Sequence, residues 1–166
     1  MIRIGLVAVA FALAACGGGS SNAATHFTAS LNAASEGGGV TSSGTGTATY
    51  TVIGSVGYSN GTIVNYTISF SGLTAAATAG DIHIGAPGVA GAVAVPFKNV
   101  PASTSDTFSG SFTATDVQAA TGGGVSVAAG SLDGLLAAMR AGNTYTNIHT
   151  GTYSDGEIRG QNQPGQ

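Results

Sequence analysis

The chain has 166 residues, of which only 7% are charged, and its formal net charge at pH 7 is −3. Its cations, Arg3, Lys98, Arg140 and Arg159, stand far apart, which leaves no basic patch for a phosphate backbone and excludes nucleic acid as a partner. Cys16 is the only cysteine, so an internal disulfide is excluded and the fold must rest on its core.

Arg3, the apolar run Ile4 to Leu13, and the small pair Ala14-Ala15 before Cys16 follow the order of a secretory signal. The run falls short of the roughly 20 residues a membrane span needs. Leu13-Ala14-Ala15-Cys16 resembles the bacterial lipobox, which implies cleavage before Cys16 and lipid on its sulfur. The expected organisation is therefore a lipoprotein signal at 1–15, a flexible Gly/Ser tether at 16–24 and a folded domain at 25–166. Gly17 after the cysteine, by resemblance to bacterial sorting rules, favours the outer over the inner membrane. The expected location is the cell envelope.

Period-two alternation then sets in. Phe27, Ala29 and Leu31 alternate with polar neighbours; so do Ala48, Tyr50 and Val52, and then Val64, Tyr66, Ile68 and Phe70. These are half-buried antiparallel strands, with Asn60-Gly61 turning between the second and third. Further short strands are predicted at Asp81 to Ile84, Ala92 to Phe97, Thr107 to Thr113, Thr144 to Thr150 and Glu157 to Gln161, with Ser154-Asp155-Gly156 joining the last two. Gly37 to Gly39 and Gly122 to Gly124 read as loop tips. Ser131 as N-cap, Leu132, Leu135, Leu136 and Met139 on one face, and Arg140 then Gly142 at the end predict one short helix near 131–141. About eight strands with glycine-rich turns suggest a two-sheet sandwich or Greek-key barrel.

The chemistry-bearing residues gather in two stretches. In extended chain Asp81 and His83 share a face, as do Tyr145, Asn147 and His149. If those strands are neighbours, Asp81, His83 and His149 could hold zinc or copper through two imidazoles and a carboxylate. The alternative is that both histidines hydrogen-bond loop backbone and fix one end of the sandwich. Glu157 and Arg159 also share a face, which places either an ion pair between them or Arg159 on loop carbonyls. His26 sits beside the tether without partners in the pattern. No phosphate loop, carboxylate pair or nucleophile elbow is present to argue for an enzyme.

Phe27 to Leu31, Gly72-Leu73, Asp81-Ile82-His83-Ile84-Gly85, Gly142-Asn143-Thr144-Tyr145-Thr146-Asn147-Ile148-His149-Thr150 and Gly156-Glu157-Ile158-Arg159-Gly160-Gln161 resemble, in order, the CHRD domain found in chordin and in secreted bacterial proteins. Asp81 stands where that family commonly has the first histidine of His-x-His. The resemblance implies an all-β immunoglobulin-like or superoxide-dismutase-like Greek-key sandwich, with Asn147, Glu157 and Arg159 in its structural motif, and no fixed catalytic role. The expected function is a binding or structural module, tethered to the membrane and presented to an envelope or extracellular protein or glycan. The alternative is a zinc or copper domain using His83 and His149, with superoxide-dismutase-like or hydrolytic chemistry.

Overall fold

The computed structural model describes residues 24–54 and 61–165. The expected signal, Cys16 and Asn60 of the expected turn lie outside the described residues. Among those described, no helix is long and apolar enough to cross a membrane.

Among the described residues the fold is all-β, as the alternation predicts, with one α-helix. β1 (His26–Asn32), β2 (Thr45–Ile53) and β3 (Ile63–Ser71) alternate buried and solvent-facing residues along most of their length. β4 (Ala77–Ile84), β5 (Val93–Pro96), β6 (Asp106–Phe112), β7 (Ala120–Gly122) and β8 (Val125–Val127) follow. α1 (Leu132–Arg140), β9 (Thr144–Thr150), β10 (Ile158–Gln161) and β11 (Gln163–Pro164) complete the chain. The β7–β8 hairpin stands where the sequence pattern suggested only a loop tip. Its arms are three residues each, too short for alternation to register.

Eight strands pair antiparallel in the order β5-β4-β9-β10-β1-β2-β3-β6. This is one continuous sheet folded over rather than two separate sheets. Its halves face each other across the core: Tyr50 on β2 reaches Thr146 on β9, their oxygens 2.5 Å apart. Phe97, just beyond β5, packs on Tyr66 of β3 and Phe108 of β6, with ring centroids 4.7 and 6.0 Å away. The C-terminal strands stitch the halves together, since β10 pairs with β9 and meets β1 at Asn32–Arg159, and β11 pairs with β1.

Leu132, Leu135, Leu136 and Met139 bury one face of α1 in the core. Ser131 caps its first turn by accepting from the Gly134 amide. The Gly142 and Asn143 amides close the last turn on the Met139 and Ala138 carbonyls, a Schellman ending. On the core-facing side of β9, Thr144 and Thr146 are fully buried. They are satisfied through Asn162, which accepts from Thr146 Oγ1 at 2.7 Å and donates to Thr144 Oγ1 at 3.1 Å.

Candidate metal centre

Core-facing positions on β4, β9 and β10 are filled by Ile82, Ile84, Ile148 and Ile158, all fully buried. Alternation therefore turns Asp81, His83, Tyr145, Asn147, His149 and Arg159 to the outer face of the same half-sheet. Cross-strand register sets Asp81 beside Asn147 and His83 beside Tyr145 on β9, and Asn147 beside Arg159 on β10. A register irregularity in the β4–β5 pairing falls between Ile82 and His83, a common device for re-aiming a side chain.

This outer face is not open to water, because three loops roof it. Arg159 Nη2 donates to the Ala86 and Val89 carbonyls at 3.3 and 3.0 Å, and Gln161 Nε2 donates to the Gly85 carbonyl at 2.8 Å. The Gly91 amide donates to Tyr145 Oη at 3.2 Å. Gly91 is required there, since a side chain would collide with the Ile84 carbonyl. On the other flank the 151–157 turn presents its Ser154 and Asp155 carbonyls to His149 and Asn147. Glu36 comes in from the loop after β1. The result is a buried polar layer in which Asp81 is 6% exposed, His83 8% and Arg159 4%.

Within that layer the structure brings Asp81, His83 and His149 together: one ligand atom from each lies within 4.8 Å of the others. Asp81 Oδ1 is 2.6 Å from His83 Nε2 and 3.3 Å from His149 Nε2. The far nitrogens are both held by backbone. His83 Nδ1 donates to the Gly91 carbonyl at 2.8 Å, and His149 Nδ1 to the Ser154 carbonyl at 2.9 Å. A carbonyl only accepts, so both Nδ1 atoms carry the proton and both Nε2 atoms face the same carboxylate. The loop-anchor role set out for the histidines is filled by their Nδ1 atoms, which leaves both Nε2 atoms beside Asp81.

Apart from this 2.6 Å contact with Asp81, the buried His83 Nε2 has no hydrogen-bond partner. Burial would lift the Asp81 carboxyl, but the two histidines beside it hold it below its usual range. Burial would likewise depress His149, and the hydrogen bond and charge of Asp81 more than reverse this, leaving its pKa raised. Neutral imidazoles would turn two lone pairs onto an anionic oxygen. The arrangement is stable when a proton or a cation lies between them.

The rings are further fixed by stacking. Tyr145 lies parallel to His83, centroids 4.7 Å apart and planes within 2°, and the Arg159 guanidinium sits 3.5 Å over the Tyr145 ring. Arg159 and Glu157 do not pair. Glu157, fully buried, accepts instead from Ser42 Oγ, the Thr74 amide, Thr74 Oγ1 and Thr150 Oγ1 at 2.6 to 2.8 Å. Burial would raise its carboxyl, but these four donors keep it lowered. Asn147 Nδ2 donates to the Asp155 carbonyl at 3.2 Å. His26 stands apart on β1, 3.3 Å from Thr51 Oγ1.

Sequence reasoning did not single out Glu36, whose carboxyl is lifted by burial against the pull of Arg159, His149 and His83. Its only signal was its place in front of Gly37-Gly38-Gly39. A cleft of about 310 Å³ between Glu36–Val40 and Thr152–Gly156 adjoins this side of the cluster. The larger hollow, about 710 Å³, is shallow and lies away from it on the outer face of β2, β3 and β6.

Fold and site together define an antiparallel β-sandwich with a roofed polar layer on one half-sheet. The chain belongs to the CHRD domain family, whose model matches residues 27–162. Family and fold suggest a β-fold binding module. No curated protein and no solved structure matches it.

Proposed function

We propose that this CHRD domain is a metal-binding module in which Asp81, His83 and His149 hold a divalent cation of the zinc or copper class. One observation carries the reading: each imidazole gives its Nδ1–H to a backbone carbonyl and aims Nε2 at one buried carboxylate oxygen. This is how metal-ligating histidines are oriented by their outer partners. A cation at about 2.0–2.1 Å from each ligand spaces the ligands about 3.3 Å apart. The present separations of 2.6 and 3.3 Å from Asp81 need only small side-chain adjustments to reach it. Imidazole and carboxylate donors without a thiolate suit Zn²⁺ or Cu²⁺ rather than Cu⁺. Asp81 in place of a histidine supports the same reading, because it adds the negative charge that a buried cation needs.

Lipidation at Cys16 would hold the module at the cell envelope, within a short tether's reach of the membrane. A second reading, presentation to a protein or glycan partner, is favoured by the open hydroxyl face of β1, β2, β3 and β6, and the two are compatible. Elemental analysis of the purified chain after zinc loading and desalting tests the first. We expect about one equivalent retained, lost in His83→Ala and His149→Ala. Failure of the parent chain to retain any metal would reject it.

A further inference from the structure

A tetrahedral cation has four positions and the cluster fills three. We infer that Glu36 fills the fourth, so that two imidazoles and two carboxylates close the site; this rests on the metal-binding reading above.

The buried atoms without partners point there. Among the described residues, the buried side-chain polar atoms with no hydrogen-bond partner are Glu36 Oε1, Asn147 Oδ1 and His83 Nε2, and all three belong to this layer. Glu36 Oε1 meets the Asn147 carboxamide over Gly156, where a methyl group would strike Glu36 Oε1 and both Nδ2 and Oδ1 of Asn147. A buried carboxylate oxygen that lacks a well-formed hydrogen bond is unfavourable until something positive joins it. Asn147 is 1% exposed, lies two residues from His149 on the same face, and is the cross-strand partner of Asp81. The unsatisfied pair therefore abuts the cluster.

Charge balance points the same way. A divalent cation on Asp81 alone leaves one positive charge uncompensated in a layer that already contains Arg159. Glu36 cancels it, and an uncompensated buried charge is costly.

Glu36 is not among the three groups within 4.8 Å of one another, so it must swing inward. Its setting allows that. It follows a single 3₁₀ turn, Ala33–Ser35, and precedes Gly37, Gly38 and Gly39, all at positive φ with nothing near the position a Cβ would take. Such a run can change conformation without disturbing packed neighbours. Closure would draw the 33–40 loop over the 310 Å³ cleft. A site closed by four protein ligands retains its metal and offers no open position to a substrate. The module then stores or is braced by its cation.

Zn²⁺ titration by calorimetry, and Co²⁺ as a visible-absorption reporter of coordination, applied to the parent chain, Glu36→Gln and Glu36→Asp, tests this. Glu36→Gln should still take one cation but at least ~10-fold more weakly, with weaker Co²⁺ bands as water enters. Glu36→Asp, one methylene short, should fall between. If the parent binds and Glu36→Gln matches it in affinity and spectrum, Glu36 is not a ligand and the three-ligand reading stands alone. If the parent binds no cation, the metal reading fails and this inference falls with it.

Discussion

The two outer faces of the sandwich are made by the same alternation and carry opposite chemistry. On β1, β2, β3 and β6 the outward positions include Thr28, Ser30, Thr47, Thr49, Thr67, Ser69, Thr107 and Ser109, which face solvent. Their hydroxyls bond sideways, Thr67 to Ser109 at 2.9 Å and Ser69 to Thr107 at 2.8 Å. On β4, β9 and β10 the outward positions are the acid, the histidines, the arginine and the amide of the polar layer, and loops cover them. Strand period decides which side chains point out. Only the roof decides whether those side chains are weak surface groups or strongly coupled buried ones.

The contrast can be broken most forcefully at the end of the covered half. Glu157→Ala leaves three hydroxyls and one amide without their acceptor, and should cost about 3–5 kcal/mol in urea denaturation. Glu157→Gln, which keeps one acceptor oxygen, should cost less. Arg159→Lys loses the planar fork over Tyr145 and the bonds to the Ala86 and Val89 carbonyls, for about 1.5–3 kcal/mol. Hydrogen exchange should then speed up at the Val89 and Gly91 amides, while the β2–β3 amides stay protected.

Acid should separate the halves as well. Glu157 and Asp81 have lowered folded pKa values, so the folded state binds fewer protons than the unfolded one. The stability they contribute is complete above about pH 4.5, near the unfolded values, and is lost as pH falls through the folded ones, at about 1.4 kcal/mol per unit of depression. A plot of stability against pH should therefore slope down below that point, and Glu157→Gln should flatten it. At the other extreme, Thr67→Ala and Thr49→Ala on the open face should stay within about ±0.5 kcal/mol of the parent. A larger loss there would mean the hydroxyl rows are more than a solvated surface.

Much of this was legible in the sequence, for reasons that differ by element. β1, β2 and β3 alternate cleanly because one side is core and the other water. α1 announced itself by its cap, apolar stripe and glycine stop. The family pattern ran through both histidine segments, and placing Asp81, His83 and His149 together needed only that β4 and β9 be neighbours. What could not be read was the roof. Arg159 meets Ala86 across 73 residues of sequence, and Glu157 meets Ser42 across 115, so its local pattern suggested Arg159 as a partner instead. Glu36 was silent for the same reason: its neighbours Asn147 and Gly156 are supplied by the fold.

The most direct check of the metal-binding claim is anomalous diffraction at the zinc absorption edge from crystals of the zinc-loaded chain. The account predicts one anomalous peak at about 2.0–2.2 Å from an Asp81 carboxylate oxygen, His83 Nε2 and His149 Nε2, with both Nδ1 atoms still on the Gly91 and Ser154 carbonyls. Density showing both histidines packed directly against Asp81, with no peak between them at saturating zinc, would contradict it.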